Sequence, residues 1–231
     1  MRIWIAFAIL SSSLSYAKQS IEANDKALND KGKVVYLEHH LIDGTDSGEI
    51  TLATTEFKRE NGETFAQMHL DFTKSVSAPK MTFEDSRSGS ANGVEFDGQK
   101  YTLWRSGKDK KREKVEYSAG KFEKDELVVC GQGLHYYLVK NFDLLKQKKD
   151  IVIKYLTPDR LDYFTFVLKV EKEDEQFYHL VMKIKSFMLR AVISPIKLTY
   201  RKSDKKLMKF SGLSNVPTDS GDPQNVTINY E

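Results

Sequence analysis

Apolar residues recur at every second position through the second half of the chain. The sets are Ile151, Ile153 and Tyr155; Phe164, Phe166 and Leu168; Tyr178, Leu180, Met182 and Ile184; Ile196, Leu198 and Tyr200; and Val226, Ile228 and Tyr230. In "IKLTYRK", the intervening Lys197, Thr199 and Arg201 take the other face of the strand. This alternation is typical of strands with one buried face. Successive strands of this kind predict an antiparallel sheet with one side in water.

Turn dipeptides separate the apolar runs. Asn61-Gly62, Asn92-Gly93 and Asp97-Gly98 tolerate the positive φ angles of tight hairpins. The chain has no internal repeat and no linker rich in proline or glycine. We therefore predict a mainly β fold over residues 34–231: a single domain built as a curved antiparallel sheet or half-barrel.

Two segments break the strand pattern. In "GLHYYLVKNFDLLKQ", Leu134, Leu138 and Leu145 lie near helical spacing, which predicts a helix over residues 134–145 packed against the sheet. A second short helix is predicted at "SFMLRAVI", with Ser186 as its cap and Pro195 just beyond its end. The polar stretch "QSIEANDKALNDKGK" has no such periodicity, so residues 18–33 are expected to form a loose or partly helical lead-in.

Residues 1–17 have the layout of a secretory signal peptide. Arg2 precedes an apolar run over residues 3–10, and the small residues Ser15 and Ala17 frame a cleavage point. The run is far shorter than the roughly twenty residues that a helix needs to cross a bilayer. No cysteine follows Ala17 directly, so no lipid attachment site is expected. The sequence thus predicts an exported, soluble protein with no integral membrane span and no lipid anchor.

Charge and cysteine content narrow the class of protein. Removal of residues 1–17 leaves 35 of the 36 Lys and Arg residues against 33 Asp and Glu residues, a net charge of +2. So small an excess argues against nucleic acid as a partner. Cys130 is the only cysteine, so the fold has no internal disulfide and depends on its apolar core.

Cys130 and His135 are the first candidates for chemistry, since a thiol and an imidazole can act as a nucleophile and its base. Their spacing does not favour this role. Gly131 and Gly133 place a turn between them, and no third residue is marked to orient the imidazole. We interpret the stretch as the joint between a strand and the predicted helix, and we predict no catalytic residue.

The histidines and carboxylates do not indicate a metal site. His39 and His40 are neighbours, so in a strand they point to opposite faces. His69 and Asp71 share a face, yet no further ligands accompany them. Acidic pairs such as Glu84-Asp85 are common on solvent-exposed strand faces when 30% of the residues are charged, so they do not indicate a catalytic pair. We predict no metal and no cofactor.

Several longer segments resemble a family of uncharacterised exported proteins of Gram-negative bacteria. They include "VVYLEHHLI", "TTEFKRENGETFAQMHLDF", "GLHYYLVKNFDLLKQKKDIVIKYLTPDRLDYFTF" and "PIKLTYRKSDKKLMKFSGLSNVPTDSGDPQNVTINYE", and the resemblance runs from Val34 to the end. It implies a periplasmic location. The terminal strand-turn-strand rhythm is similar, more distantly, to the periplasmic lipoprotein carriers LolA and LolB. That likeness implies an incomplete barrel, plugged by helices, that holds acyl chains, and it carries over no individual ligand residue.

The inward residues of the later strands and of the predicted helix are the candidates for binding an apolar ligand. They are Leu134, Leu138, Phe164, Phe166, Tyr178, Leu180, Met182 and Leu198. We predict a non-enzymatic periplasmic protein that binds or carries an acyl chain, a lipid or a lipoprotein. The alternative is an envelope structural or protein-interaction module with a filled core and no small ligand. The pattern leaves this choice open, and the oligomeric state with it.

Overall fold

A computed structural model describes residues 19–45, 49–191 and 193–230, with side chains from Glu22 onward. The predicted signal peptide lies outside the described residues. The strands are β1 Gln19–Leu28, β2 Val34–Gly44, β3 Ile50–Lys58, β4 Thr64–Asp71, β5 Lys80–Asp85, β6 Ser90–Phe96, β7 Lys100–Ser106, β8 Glu113–Ser118, β9 Glu126–Val129, β10 Ile151–Thr157, β11 Asp162–Glu173, β12 Phe177–Ile184, β13 Ile196–Arg201, β14 Leu207–Leu213 and β15 Asn225–Asn229. One α-helix, α1 Gly133–Lys140, joins β9 to β10, and short 3₁₀ turns follow it at Phe142–Gln147, Pro158–Arg160 and Leu189–Ala191.

All fifteen strands belong to one curved sheet, which confirms the predicted fold class. Their order is β8-β7-β6-β5-β4-β3-β2-β1-β15-β14-β13-β12-β11-β10-β9. Neighbours are antiparallel except β9 and β10, which are parallel because α1 crosses between them. β1 pairs with β15 through two registered pairs, Ala27 with Ile228 and Leu28 with Thr227. β8 and β9, although close in the chain, form the two outer edges of the sheet.

The two ends of the sheet overlap. Tyr117 of β8 meets Tyr163 of β11 edge to face, with ring centroids 5.4 Å apart. The Tyr117 hydroxyl donates to the Leu161 carbonyl at 3.1 Å, and Arg105 Nη1 donates to the Asp159 carbonyl at 2.9 Å. β7 and β8 therefore cover the outer side of the β10–β11 hairpin, and the sheet rolls over itself as an unclosed, barrel-like structure.

Two apolar clusters fill the interior. The first lies on the inner faces of β2 to β7, with Tyr36, Phe57 and Phe83 among its members, and extends into the overlap through Leu156. The second lies between α1 and strands β10 to β13, and includes Leu138 and Ile153, both 0% exposed. Val128 belongs to the first cluster and Val129 to the second, because adjacent residues of β9 face opposite sides.

The predicted lead-in over residues 18–33 is wrong where the structure describes it. Residues 19–28 form β1, which lies between β2 and β15 in the middle of the sheet. Asp25 and Ala27 are buried while Asn24 and Lys26 are exposed, so the strand does alternate. Asp25 and Ala27, the buried side chains among those described in β1, are charged or small, and an apolar periodicity cannot indicate such a strand.

The turn predictions have different outcomes. Gly62, with φ +88°, and Gly98, with φ +101°, lie in hairpin turns as predicted. Asn92-Gly93 lies instead inside β6, where Gly93 is the partner of Trp104 on β7. A Cβ on Gly93 would clash with the Met81 carbonyl oxygen and lie 2.7 Å from the Trp104 ring, so this glycine permits close packing within the sheet rather than a turn.

The predicted helices are shorter than expected. α1 ends at Lys140, and the chain continues as the 3₁₀ turn Phe142–Gln147, so the predicted span of 134–145 covers two elements. In the segment "SFMLRAVI", of which Val192 lies outside the described residues, the structure has the 3₁₀ turn Leu189–Ala191. The Leu189 amide does reach Ser186 Oγ at 3.5 Å, which places the predicted cap at the start of this turn.

Candidate functional site

The stretch from Cys130 to Gly133 fixes the start of α1 against the segment before β5. The Cys130 amide donates to the Ser77 carbonyl at 3.2 Å, and Cys130 Sγ donates to the Pro79 carbonyl at 3.1 Å. Gly131 has φ +51°, which favours glycine, and a Cβ on Gly133 would lie 2.0 Å from the Ser77 oxygen. Burial raises the pKa of the Cys130 thiol and keeps it protonated. Cys130 therefore has the environment of a structural residue of the joint.

Polar contacts tie α1 to both sides of the interior. Gln132 Nε2 donates to Thr55 Oγ1 of β3 at 2.9 Å. His135 Nδ1 shares a hydrogen bond of 3.0 Å with the Tyr200 hydroxyl of β13, and the two rings stack. Lys140 at the end of the helix pairs with Glu49 at 2.9 Å. The helix is thus held between the two halves of the rolled sheet.

The sequence-predicted ligand contacts come together in the second cluster. Leu134, Leu138, Phe166, Tyr178, Leu180, Met182 and Leu198 are members of it, each at most 7% exposed. Phe164 is partly buried and packs against the same cluster. The residues share one location, as the alternation predicted, and side chains of the sheet and of α1 fill that location. Whether they bind a ligand stays a prediction.

A surface concavity of about 360 Å³ adjoins the second cluster. Its lining residues are Tyr163, Phe164, Thr165, Ile184, Lys185, Ser186 and Leu189. Ile184 is a buried member of the cluster, and Phe164 and Leu189 pack against it. The floor of this concavity is therefore the outer boundary of the apolar core. Of the eight predicted ligand contacts, Phe164 is the one that lines it.

A larger concavity of about 620 Å³ lies over β5 to β8. Charged residues of both signs line it, Asp71, Glu95, Lys100 and Arg112 among them. Trp104 is 5% exposed, and the Arg112 guanidinium lies 3.8 Å above its ring centroid, so the indole is covered. Phe96 and Trp104 are the apolar members of this lining, and its other residues are polar or charged.

A buried polar cluster lies between β1, β2 and β3. Asp25 and Glu38 are cross-strand partners, and Thr55 is 1% exposed. His40 Nδ1 lies 2.9 Å from Thr55 Oγ1, and His40 Nε2 lies 3.1 Å from Glu38 Oε2 and 3.7 Å from Asp25 Oδ2. Sequence analysis did not identify this cluster, because charged side chains in a charged chain indicate solvent until the strand register is known.

The charges of this polar cluster act on Tyr230 and on His135. Burial, with the nearby carboxylates of Glu38 and Asp25, raises the pKa of Tyr230 well above its ordinary value. Burial and the charge of His40 lower the pKa of His135 to about 4. An imidazole flanked by two carboxylates has the elements of a general base. However, the two concavities described above are lined by other residues, so this arrangement is best interpreted as an internal network that fixes the register of β1 to β3.

The lowered pKa of His135 predicts how stability depends on pH. The folded value of about 4 lies below the ordinary 6.5, so between these values the unfolded chain binds a proton that the folded chain does not. This contribution to stability is present above pH 6.5 and is lost as the pH falls toward 4. Urea unfolding at about pH 7.5 and about pH 5 should show a larger fall in midpoint for the wild type than for His135→Gln. Equal falls in the two proteins would contradict the assignment.

On the outer face of β2, His39 belongs to a separate charged network. Its Nε2 lies 2.8 Å from Glu22 Oε1 and its Nδ1 lies 2.9 Å from Glu56 Oε2, and Lys58 also pairs with Glu56 at 2.9 Å. His39 and His40 thus face opposite sides of the sheet, as predicted. Within the described part of the chain, no three His, Cys, Asp or Glu side chains are arranged to hold a metal ion.

Comparisons with known proteins give one match. No protein-family model matches the chain, and no curated protein matches it. Among solved structures, it is similar to the crystal structure of a beta-barrel-like protein of the domain of unknown function DUF1849 from Brucella abortus. That match has a TM-score of 0.42 and 10% sequence identity, and covers 93% of this chain and 100% of the other. It assigns no role to any residue, and the likeness to the lipoprotein carriers stays a prediction.

Within the described residues, no helix has both the length and the apolar character required to cross a bilayer.

Proposed function

We propose that the protein is a non-enzymatic periplasmic protein that binds the acyl chain of a lipid or lipoprotein at the concavity beside Phe164. The proposal of export rests on the signal-peptide layout of residues 1–17, and that of the periplasm on the resemblance to exported Gram-negative proteins. The β-barrel-like fold provides the frame for this site, at the place where the apolar core reaches the surface.

The observation that carries the proposal is the continuity between the concavity and the second cluster. Phe164, Ile184 and Leu189 line the concavity and also belong to or pack against the cluster. An acyl chain placed there covers partly exposed apolar side chains without opening the core. The volume of about 360 Å³ lies within the roughly 300–1,000 Å³ typical of small-molecule sites. Lys185, also in the lining, supplies a cation for a phosphate or carboxylate headgroup.

The absence of catalysis is part of the proposal and is supported by the surroundings of the candidate groups. Cys130 is 0% exposed, and its thiol donates to a backbone carbonyl. His135 is engaged by Tyr200 rather than by Cys130. Neither lines the concavity beside Phe164. Cys130 and His135 are therefore not arranged as a thiol nucleophile and its base.

The second candidate function is an envelope structural or protein-interaction module with no small ligand. The packing of the second cluster favours it, because seven of the eight predicted ligand contacts are at most 7% exposed and contact one another as a core. In that case partners bind on the outer surface or at the edge strands β8 and β9, and nothing small co-purifies.

Native mass spectrometry of the protein, purified gently from its own cell envelope, separates the two candidates. Binding of an acyl ligand predicts a stoichiometric adduct, and organic extraction followed by lipid analysis would identify it. A bare protein mass with nothing extractable would overturn the proposal and favour the interaction module.

Two variants locate the ligand in the concavity. Ser186→Trp fills the concavity and Phe164→Ala removes part of its floor. Each should lower ligand occupancy by about tenfold, since one aromatic side chain contributes about 1.5–3 kcal/mol of apolar contact. Phe177→Ala, a change of the same type on β12 outside the lining, is the matched control and should retain the ligand. Full occupancy in Ser186→Trp would exclude this location.

A further inference from the structure

The loop between β12 and β13 exposes two large apolar side chains side by side. Phe187 is 85% exposed and Met188 is 83% exposed, whereas the next such side chain among the described residues, Leu41, is 44% exposed. Phenylalanine and methionine are residue types that folded proteins usually bury. Two of them at one loop tip, adjacent in sequence, indicate a surface that is covered by something other than this chain.

Hydrogen bonds at its base hold this tip in place. The Arg190 guanidinium donates through Nε to the Ile184 carbonyl at 2.9 Å and through Nη2 to the Lys185 carbonyl at 3.2 Å. The Arg190 amide also donates to the Ser186 carbonyl at 3.2 Å. Leu189 turns inward and packs against the second cluster. The next residues toward the N-terminus, Met188 and Phe187, therefore project from an anchored turn.

The residues around the tip are cationic. Residues 183–197 include Lys183, Lys185, Arg190 and Lys197, all exposed, and contain no aspartate or glutamate. Glu126 of β9 is the carboxylate whose charge interacts with Lys185, and it already pairs with Lys154 at 3.0 Å. A segment with four cations and no acid is a local departure from a chain whose total charge is nearly balanced.

We propose that the tip formed by Phe187 and Met188 inserts into a lipid bilayer that contains anionic headgroups. The two apolar side chains enter the boundary between headgroups and acyl chains, while Lys183, Lys185 and Lys197 meet the phosphates. Neither feature suffices alone, because a shallow apolar anchor binds weakly and reversibly, and its combination with a basic patch gives stable attachment. A group of cations with no acidic residue among them complements a surface of phosphates. A purely apolar protein partner would offer these cations no opposite charge.

This attachment goes beyond the proposed function, because it does not require a ligand in the concavity. It would also give an acyl ligand a path from the bilayer into the concavity. Lys185, Ser186 and Leu189 line the concavity and flank the tip, so the mouth of the concavity would lie at the bilayer surface.

Vesicle co-sedimentation tests the attachment. The protein should bind vesicles of phosphatidylcholine mixed with phosphatidylglycerol, and should bind vesicles of phosphatidylcholine alone much less. Binding should weaken as salt rises from about 0.1 M to about 1 M, because the screening length falls from about 10 Å to about 3 Å. The double variant Phe187→Ser with Met188→Ser should bind the anionic vesicles at least about tenfold less. The double variant Lys185→Gln with Lys197→Gln should bind anionic vesicles less than the wild type does, and should bind phosphatidylcholine vesicles as weakly as the wild type does.

The matched control is Leu41→Ser with Leu52→Ser. It removes two exposed apolar side chains, 44% and 42% exposed, from β2 and β3. This control should bind vesicles like the wild type. An equal loss of vesicle binding in the control and in the tip variant would show nonspecific hydrophobic adsorption and would overturn the proposal. Failure of the wild type to bind anionic vesicles would overturn it as well.

A second readout reports insertion directly. In the chain without the predicted signal peptide, and hence without Trp4, Phe187→Trp places an indole at the tip, whereas Trp104 is 5% exposed and changes little. Its fluorescence should shift to shorter wavelength on addition of anionic vesicles. No shift with vesicles bound would mean that the tip stays outside the bilayer, against the proposal. The tip variants should keep any ligand in the concavity, and Phe164→Ala should keep vesicle binding, so the two proposals can fail separately.

Discussion

Leu138→Asp is expected to destabilise the protein by about 4 kcal/mol or more, enough to abolish the folded state of a marginally stable domain. Leu138 is 0% exposed in the second cluster, between α1 and the inner faces of β10 to β13. The substitution removes a buried leucine and leaves an unpaired carboxylate in its place. Urea unfolding followed by circular dichroism measures the change.

Leu213→Asp is the control for that experiment. It makes the same chemical change at a leucine that is 38% exposed, at the end of β14. Its effect should stay within about 0.5 kcal/mol. A similarly small effect for Leu138→Asp would contradict the placement of α1 over the sheet.

Gly133→Ala is expected to cost about 3 kcal/mol, the upper end for overpacking by one methyl group. The added Cβ would lie 2.0 Å from the Ser77 oxygen and 2.9 Å from Pro79 Cδ. The closest of these contacts is backbone, so no rotamer change relieves it. Either the segment before β5 or the start of α1 must move. Thermal unfolding measures the result, which should appear as a fall in Tm of several degrees.

Gly120→Ala provides the comparison. A Cβ on Gly120 would find only Ser118 Oγ, at an ordinary 3.7 Å, so this substitution should be nearly neutral. If both glycine variants had the same Tm, the contact between α1 and residues 77–79 would be looser than the structure has it.

Strands with apolar residues at alternate positions could be predicted from sequence, and strands without that alternation could not. β10, β12 and β13 have apolar residues at alternate positions, and the structure has them as predicted. β1 turns Asp25 and Ala27 inward, so its buried face is not apolar enough to be recognised. The overlap could not be predicted either, because Leu156 and Tyr163 lie on the side of β10 and β11 that alternation assigns to water.

Some residues of the candidate site could be predicted from sequence and others could not. Phe164 could be predicted because it is part of an alternating set, and it does line the concavity. The polar cluster of Asp25, Glu38 and His40 depends on the register between β1 and β2, which no local pattern specifies. The sequence predicts a short helix at Phe187 and Met188, because a run of apolar residues does not reveal that it projects into solvent.

The pairing of β1 with β15 has a consequence for how the molecule assembles. β1 to β8 form one antiparallel meander and β10 to β15 another, with β9 added in parallel to β10, so each half can form from neighbouring hairpins once the chain is free to fold. Along the sheet, only the pairing of residues 27–28 with residues 227–228 joins the two halves. This pairing cannot form until residues 225–229 are free to fold. Until then both β1 and β14 are open edges that other chains can pair with. The protein is therefore most vulnerable to aggregation before β15 pairs with β1.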